Sequence, residues 1–339
     1  MANVPGPAEQ VAFLRDLQRL LDEGQFVATY KFALLLSLAD LAVEHGDDSG
    51  APLSIPVSSI AERFILLYWG HVRPFPGRSE QGAPALLSQN LGRNIALLHG
   101  LAQLQERHPM VAEARRSRGW SRLVKIAERI LLEMPLFRLQ TLRSGVKEFL
   151  YENELKNGAI VLKAGVAFHL RHFYILIQHL IRGAWVRHIR SNPRNSPLFG
   201  SALDLEEFLF ENRRSQYPRI KEALREIQEG KCFYCLRTTR GEDALDHFIP
   251  WSKYSSDLGH NFVLADRSCN ADKSDLLAEL PFRDAWEERN DMNTKLLAEA
   301  FAADAAPYDL AASNSIADWA YAIARDSGIA LWAPGKATQ

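Results

Sequence analysis

Histidine beside aspartate, cysteines three apart and an asparagine near a helix start fall within one short stretch, from Lys231 to Asp275. Cys232 and Cys235 stand at its front, Asp246 and His247 precede Phe248, Ile249 and Pro250, and Asn261, Asp266, Cys269, Asn270 and Lys273 follow. Such a set suits hydrolysis of a phosphodiester. A base must take a proton from water, and histidine titrates near neutrality. A divalent cation must neutralise the phosphorane and the leaving oxygen, and oxygen donors suit Mg2+. The run 244–249 reads as a strand, along which successive side chains point to opposite faces. Unless the strand is bent, one of Asp246 and His247 faces the metal and the other the water. Asn270 and Lys273, three apart on the following helix, share a face. Asn270 can offer a carbonyl oxygen to the same metal, and Lys273 can reach phosphate. Cys232 and Cys235 form half of a zinc knuckle. The competing reading, a redox pair, lacks its βαβ context.

The order Asp246-His247, Pro250, Asn261, Asn270, Lys273 resembles the HNH endonucleases, over roughly residues 228–280. The run from Asn261 to Asp275 is similar to the corresponding run in the HNH domain of RNA-guided CRISPR nucleases. The resemblance implies a ββα-metal fold of the zinc-ribbon type. It also implies Asp246 and Asn270 as ligands of Mg2+ or Mn2+, His247 as general base, and Asn261 as the residue that ties down the loop and helps orient the base. Products would carry 5′-phosphate and 3′-hydroxyl ends. The family's second zinc half is another pair of cysteines at the helix start. Here Asp266 and Cys269 stand there, so either Asp266 completes a structural Zn2+ site with Cys232, Cys235 and Cys269, or it caps the helix. Restriction and anti-phage defence are the settings implied, with a partner protein of such a system as a further expectation. The rival reading is a zinc-ribbon module that binds nucleic acid or a partner without cutting.

These residues need a scaffold, and the rest of the chain reads as mainly helical. Apolar spacing predicts helices over 8–23, 28–45, 57–69, 86–106, 109–117, 120–133, 166–190, 203–211, 217–229, 282–289, 292–302 and 314–326. Residues 28–45 are apolar almost all round, the mark of a central helix. Asn157-Gly158 predicts a hairpin turn joining 148–152 to 159–163. The expected plan is a helical domain over 1–200, an HNH module over 216–290 and a helical extension over 291–339.

At 339 residues with 47% hydrophobic and 24% charged side chains, the chain has the composition of a packed globular protein of about two domains. A formal net charge of −1 gives no global attraction to nucleic acid, so basic groups must be concentrated locally. Between Ala164 and Asn195 there are Arg171, Arg182, Arg187, Arg190 and Arg194, no acidic residue, and interleaved aromatics including Trp185. This stretch is either a DNA-binding face, with Trp185 available for stacking, or an amphipathic core helix with a solvated basic side. All three cysteines belong to the 232–269 unit, which points to a reducing compartment such as the cytoplasm. No secretory leader, membrane span or phosphate-binding glycine loop is expected.

Overall fold

The computed structural model describes residues 4–24, 26–78, 84–89, 96–199, 205–210, 217–239, 241 and 243–335. The chain divides into two units, Met1–Arg213 and Arg214–Gln339, so the C-terminal helices belong with the cysteine-bearing segment. Gly200, expected in a linker, lies outside the described residues.

The first unit is mainly helical: α1 (Pro7–Glu23), α2 (Tyr30–His45), α3 (Val57–Trp69), α4 (Ala96–Arg107), α5 (Val111–Arg115), α6 (Arg118–Glu133), α7 (Pro135–Arg138), α8 (Val166–His172), α9 (Tyr174–Ser191) and α10 (Leu205–Phe210). Short strands intervene: β1 (Leu53–Pro56), β2 (Phe75–Arg78), β3 (Pro84–Ala85), β4 (Thr141–Leu142), β5 (Gly145–Val146) and β6 (Ala159–Leu162). As its composition requires, α2 is central. Every residue from Phe32 to Glu44 is buried, and the helix packs on α3, α8 and α9. The helix expected over 166–190 is kinked into α8 and α9 at Phe173, whose φ of −103° and ψ of 19° leave the helical region. Hydrogen bonds from Phe173 N to His169 O and from Ile177 N to Phe173 O carry the helical pattern across the kink.

The hairpin expectation holds at the turn and holds only in part along its partner. Asn157 and Gly158 have φ of 53° and 76°, the left-handed pair of a tight hairpin turn. Strand β6, however, pairs antiparallel with β1, from Leu53↔Leu162 to Pro56↔Ala159, and residues 148–152 contribute a single bridge, Tyr151↔Leu162. The reason is burial. Ile55 faces inward opposite Ile160, and this pairing places both in the core.

The second unit contains α11 (Pro218–Ile227), β7 (Asp243–His247), β8 (Phe262–Asp266), α12 (Arg267–Lys273), α13 (Leu280–Met292), α14 (Thr294–Asp304) and α15 (Leu310–Asp326). Strands β7 and β8 are antiparallel, in register from Asp243↔Asp266 to His247↔Phe262, and α12 packs on both. Ile220, Leu224, Phe262, Leu264, Leu297 and Phe301 form the core that joins α11, β8 and α14. Asp243, buried at the start of β7, is neutralised by Lys221 at 2.7 Å and Arg225 at 2.9 Å, which fastens α11 to the strand. The chain end returns to the module: Trp332 bridges Ala278, and its indole donates to Asp272 Oδ2 at 2.9 Å. No helix among the described residues is long and apolar enough to cross a membrane.

Candidate active site

One side chain ties the two ends of the long connection from β7 to β8 together. Asn261 accepts from Ile249 N at 2.8 Å and donates to Ile249 O at 2.9 Å, stapling the residues just after His247 to the entry of β8. Helix α13 fixes this staple from outside. The His260 carbonyl accepts from Trp286 at 2.8 Å, Arg289 at 3.1 Å and Asn290 at 3.3 Å, while Arg289 also reaches the Phe262 carbonyl at 2.9 Å. Burial, opposed by Tyr234, pushes Arg289 down to about 9. The His260 ring lies 4.8 Å from Phe301, and burial, then Arg289, pushes it down to about 4, so it is a neutral packing group.

His247 is wedged between Phe262 at 4.7 Å and Trp251 at 5.3 Å, 8% exposed. Its Nε2 lies 2.9 Å from Asp257 Oδ1, and Asp257 Oδ2 in turn accepts from the Tyr217 hydroxyl at 3.1 Å. A carboxylate only accepts, so Nε2 donates and the lone pair of a neutral ring sits on Nδ1. Neither Asp257 nor Tyr217 was legible as a site residue in the sequence. Their only signal is position, since Asp257 lies in the loop after the Asp-His pair.

Asp246, next to His247, is 7% exposed and faces a different set of groups. Its Oδ2 accepts from the Tyr234 hydroxyl at 2.6 Å and lies 3.0 Å from Lys273 Nζ. Lys273 was expected to reach phosphate. Instead its side chain is fully buried, and its ammonium also donates to the His247 carbonyl at 3.0 Å. Burial lowers its proton affinity while Asp246 raises it. Burial and then Asp246 raise the Tyr234 hydroxyl well above its ordinary value, which keeps it a donor. Asn270 is half-buried on α12, one turn before Lys273, on the helix that packs against β7.

The sulfurs of Cys232, Cys235 and Cys269 lie within 4.8 Å of one another. A tetrahedral zinc with Zn–S near 2.3 Å holds its sulfurs about 3.8 Å apart, so this cluster can hold a metal ion such as zinc. Burial, then the neighbouring Cys232, pushes the Cys269 thiol up to about 12, so a cation is what would bring it to the thiolate. Asp266, the expected fourth ligand, is not part of the cluster. It is the N-cap of α12, and its Oδ1 accepts from Ser268 N at 2.9 Å and Ser268 Oγ at 2.6 Å. An orphan amide at a helix start competes for the same carboxylate, and here the cap wins.

The basic helix is sorted by burial. Arg171 is turned inward, 2% exposed, donating to the Ala42 and Val43 carbonyls at the end of α2 and pairing with Asp48 at 2.9 Å. A cation there satisfies helix-end carbonyls, so Arg171 is a structural group rather than part of a DNA face. Trp185 is fully buried among Phe32, Tyr68 and His71 and cannot stack on a base. Arg182 is half-buried over the Phe210 ring, while Arg187 and Arg190 are exposed.

With this geometry in place, residues 232–278 match the family described as HNH endonuclease, and this match suggests a nuclease-type function. Residues 10–204, more than half of the chain, match a domain of unknown function (DUF8808), and the chain belongs to that family. No curated protein and no solved structure matches it.

Proposed function

We propose that the chain is a metal-dependent endonuclease that hydrolyses phosphodiester bonds in DNA. The observation that carries this reading is His247 held by Asp257, on the strand residue next to a carboxylate held by two buried donors, inside an HNH-matched segment. His247 takes the proton from the attacking water on Nδ1, while Asp257 holds the ring in place through Nε2. Asp246 and Asn270 supply oxygen ligands, and a bound Mg2+ or Mn2+ would neutralise the transition-state phosphate and the leaving oxygen. Asn261 keeps the loop after His247 from drifting. Lys273 acts on Asp246 rather than on phosphate. Arg187 and Arg190 are exposed and available to the DNA backbone. One such site cuts one strand per encounter, so a monomer nicks. By family likeness the reading extends to phage defence or restriction.

The test is incubation of supercoiled plasmid with wild type and His247→Ala in Mg2+, in Mn2+ and in EDTA. Conversion to open circles by the wild type alone, abolished by EDTA, is the expected result, with a loss of at least about 100-fold in His247→Ala. Full activity in His247→Ala removes the assigned base. Binding without cutting by either protein transfers the reading to a zinc-ribbon binding module.

A further inference from the structure

The groups that hold Asp246 come from the same two elements that carry the cysteines. Tyr234 lies between Cys232 and Cys235 in their turn, and Lys273 ends α12, whose first turn carries Cys269. The three sulfurs of these elements converge within 4.8 Å of one another. From the same elements, the Tyr234 hydroxyl at 2.6 Å and the Lys273 ammonium at 3.0 Å converge on one oxygen, Asp246 Oδ2. The Lys273 ammonium also sits 5.8 Å from the centre of the Tyr234 ring, so the two donors brace each other. Behind them Tyr234 meets Trp332 edge-on at 5.1 Å and Phe282 at 5.7 Å, and Trp332 is tied to α12 through Asp272. With Oδ2 occupied by two buried donors, Oδ1 is the oxygen left for a cation, and the carboxylate cannot rotate without breaking both bonds. Groups that orient a ligand in this way set its affinity for metal.

We propose that Tyr234 and Lys273 are positioning residues that couple the cysteine cluster to the cation-binding carboxylate. The relative placement of the cysteine turn and α12, set at the sulfurs, fixes the aim of Asp246 Oδ1 and through it the affinity for the divalent ion. This rests on the reading of Asp246 as a cation ligand given above.

The experiment uses the full chain and needs no cleavage. Zinc content is measured by elemental analysis, and Mn2+ binding is titrated by electron paramagnetic resonance in the absence of DNA, for wild type, Tyr234→Phe, Lys273→Met and Asp246→Ala. Tyr234→Phe is expected to keep the wild-type zinc content yet bind Mn2+ about tenfold more weakly. Wild type stripped of zinc and dialysed free of chelator should show a similar weakening, with little further loss when Tyr234→Phe is stripped. Tyr234→Phe removes only a hydroxyl, so the test stands even where Lys273→Met does not fold. Mn2+ affinity unchanged in Tyr234→Phe but lost in Asp246→Ala overturns the coupling and leaves the cation-ligand reading intact. A wild type that carries no zinc, or whose Mn2+ affinity survives stripping, also overturns the coupling. Equal Mn2+ binding by wild type and Asp246→Ala overturns the cation-ligand reading and the coupling with it.

Discussion

His247 is oriented by its part-buried contact with Asp257 and by the flanking Phe262 and Trp251 rings, and Asp257 is fixed in turn by Tyr217. A general base contributes about 10² to 10⁴ in rate, and that contribution depends on the ring presenting the correct nitrogen. Asp257→Ala is therefore expected to lower the turnover number by about 10-fold to 100-fold while leaving Mn2+ affinity unchanged. Single-turnover cleavage at saturating metal, with a metal titration alongside, checks both parts. An equal loss in metal affinity would mean that Asp257 serves the cation rather than the base. His260, one residue before the stapling Asn261, belongs to stability rather than catalysis. Its folded form releases its proton at about pH 4, against an ordinary value of 6.5. Between these values the unfolded chain binds a proton that the folded chain refuses. The stabilisation is therefore complete above about pH 6.5 and is lost as pH falls toward 4, by about 3 kcal/mol. Urea unfolding followed across that window should show a shallower acid slope for His260→Phe than for wild type. His71, buried in the first unit and lowered to about 3 for the same reason, leaves part of the slope in place.

At the scale of elements, the site is a strand pair, its connection and one short helix, and each is secured by a different interaction. The connection depends on Asn261, whose amide satisfies both backbone groups of Ile249. Asn261→Ala would leave a buried N–H and a buried carbonyl without partners, at about 1–3 kcal/mol each. A fall in unfolding free energy of about 2–4 kcal/mol is expected by chemical denaturation, and a change under 0.5 kcal/mol would show that the connection is held by α13 alone. Helix α12 starts on the Asp266 cap and ends in the Lys273–Asp246 pair, so its seven residues are anchored at both ends. A helix this short has little stability of its own. The module's own core is correspondingly supplemented by α11, α13 and α14, and by Trp332 returning from the chain end.

Over the whole molecule, the near-neutral net charge makes the placement of cations decisive. Of the arginines that make 164–195 look basic, Arg171 is spent inside the first unit on α2 carbonyls and Asp48, and Arg187 and Arg190 keep their charge at the surface. Arg187→Glu with Arg190→Glu should weaken DNA binding and reduce the slope of log K against log salt by about 2, since each phosphate contact contributes about 0.9. Thermal stability should change little, because both side chains are exposed. An unchanged salt slope would remove this helix from the DNA-binding surface.

The sequence by itself placed several of the helices and marked the candidate reactive set. Periodicity placed α2, α3, α6 and α11 within a few residues, because a buried stripe must repeat with the helical turn. Residue order marked Asp246, His247, Asn261 and Asn270, because side chains that share one short unit are constrained by local chain geometry. The tertiary structure alone decided what those side chains touch. β6 paired along β1 and met residues 148–152 through one bridge at Tyr151, Lys273 turned to Asp246 rather than to solvent, Asp266 capped α12, and Asp257 and Tyr234 joined the site from a loop and a turn without periodic signal. Each outcome is a competition for burial and for hydrogen-bond partners among residues distant in the chain. Such competition is settled by packing, because a buried polar group left without a partner costs more than any local preference supplies.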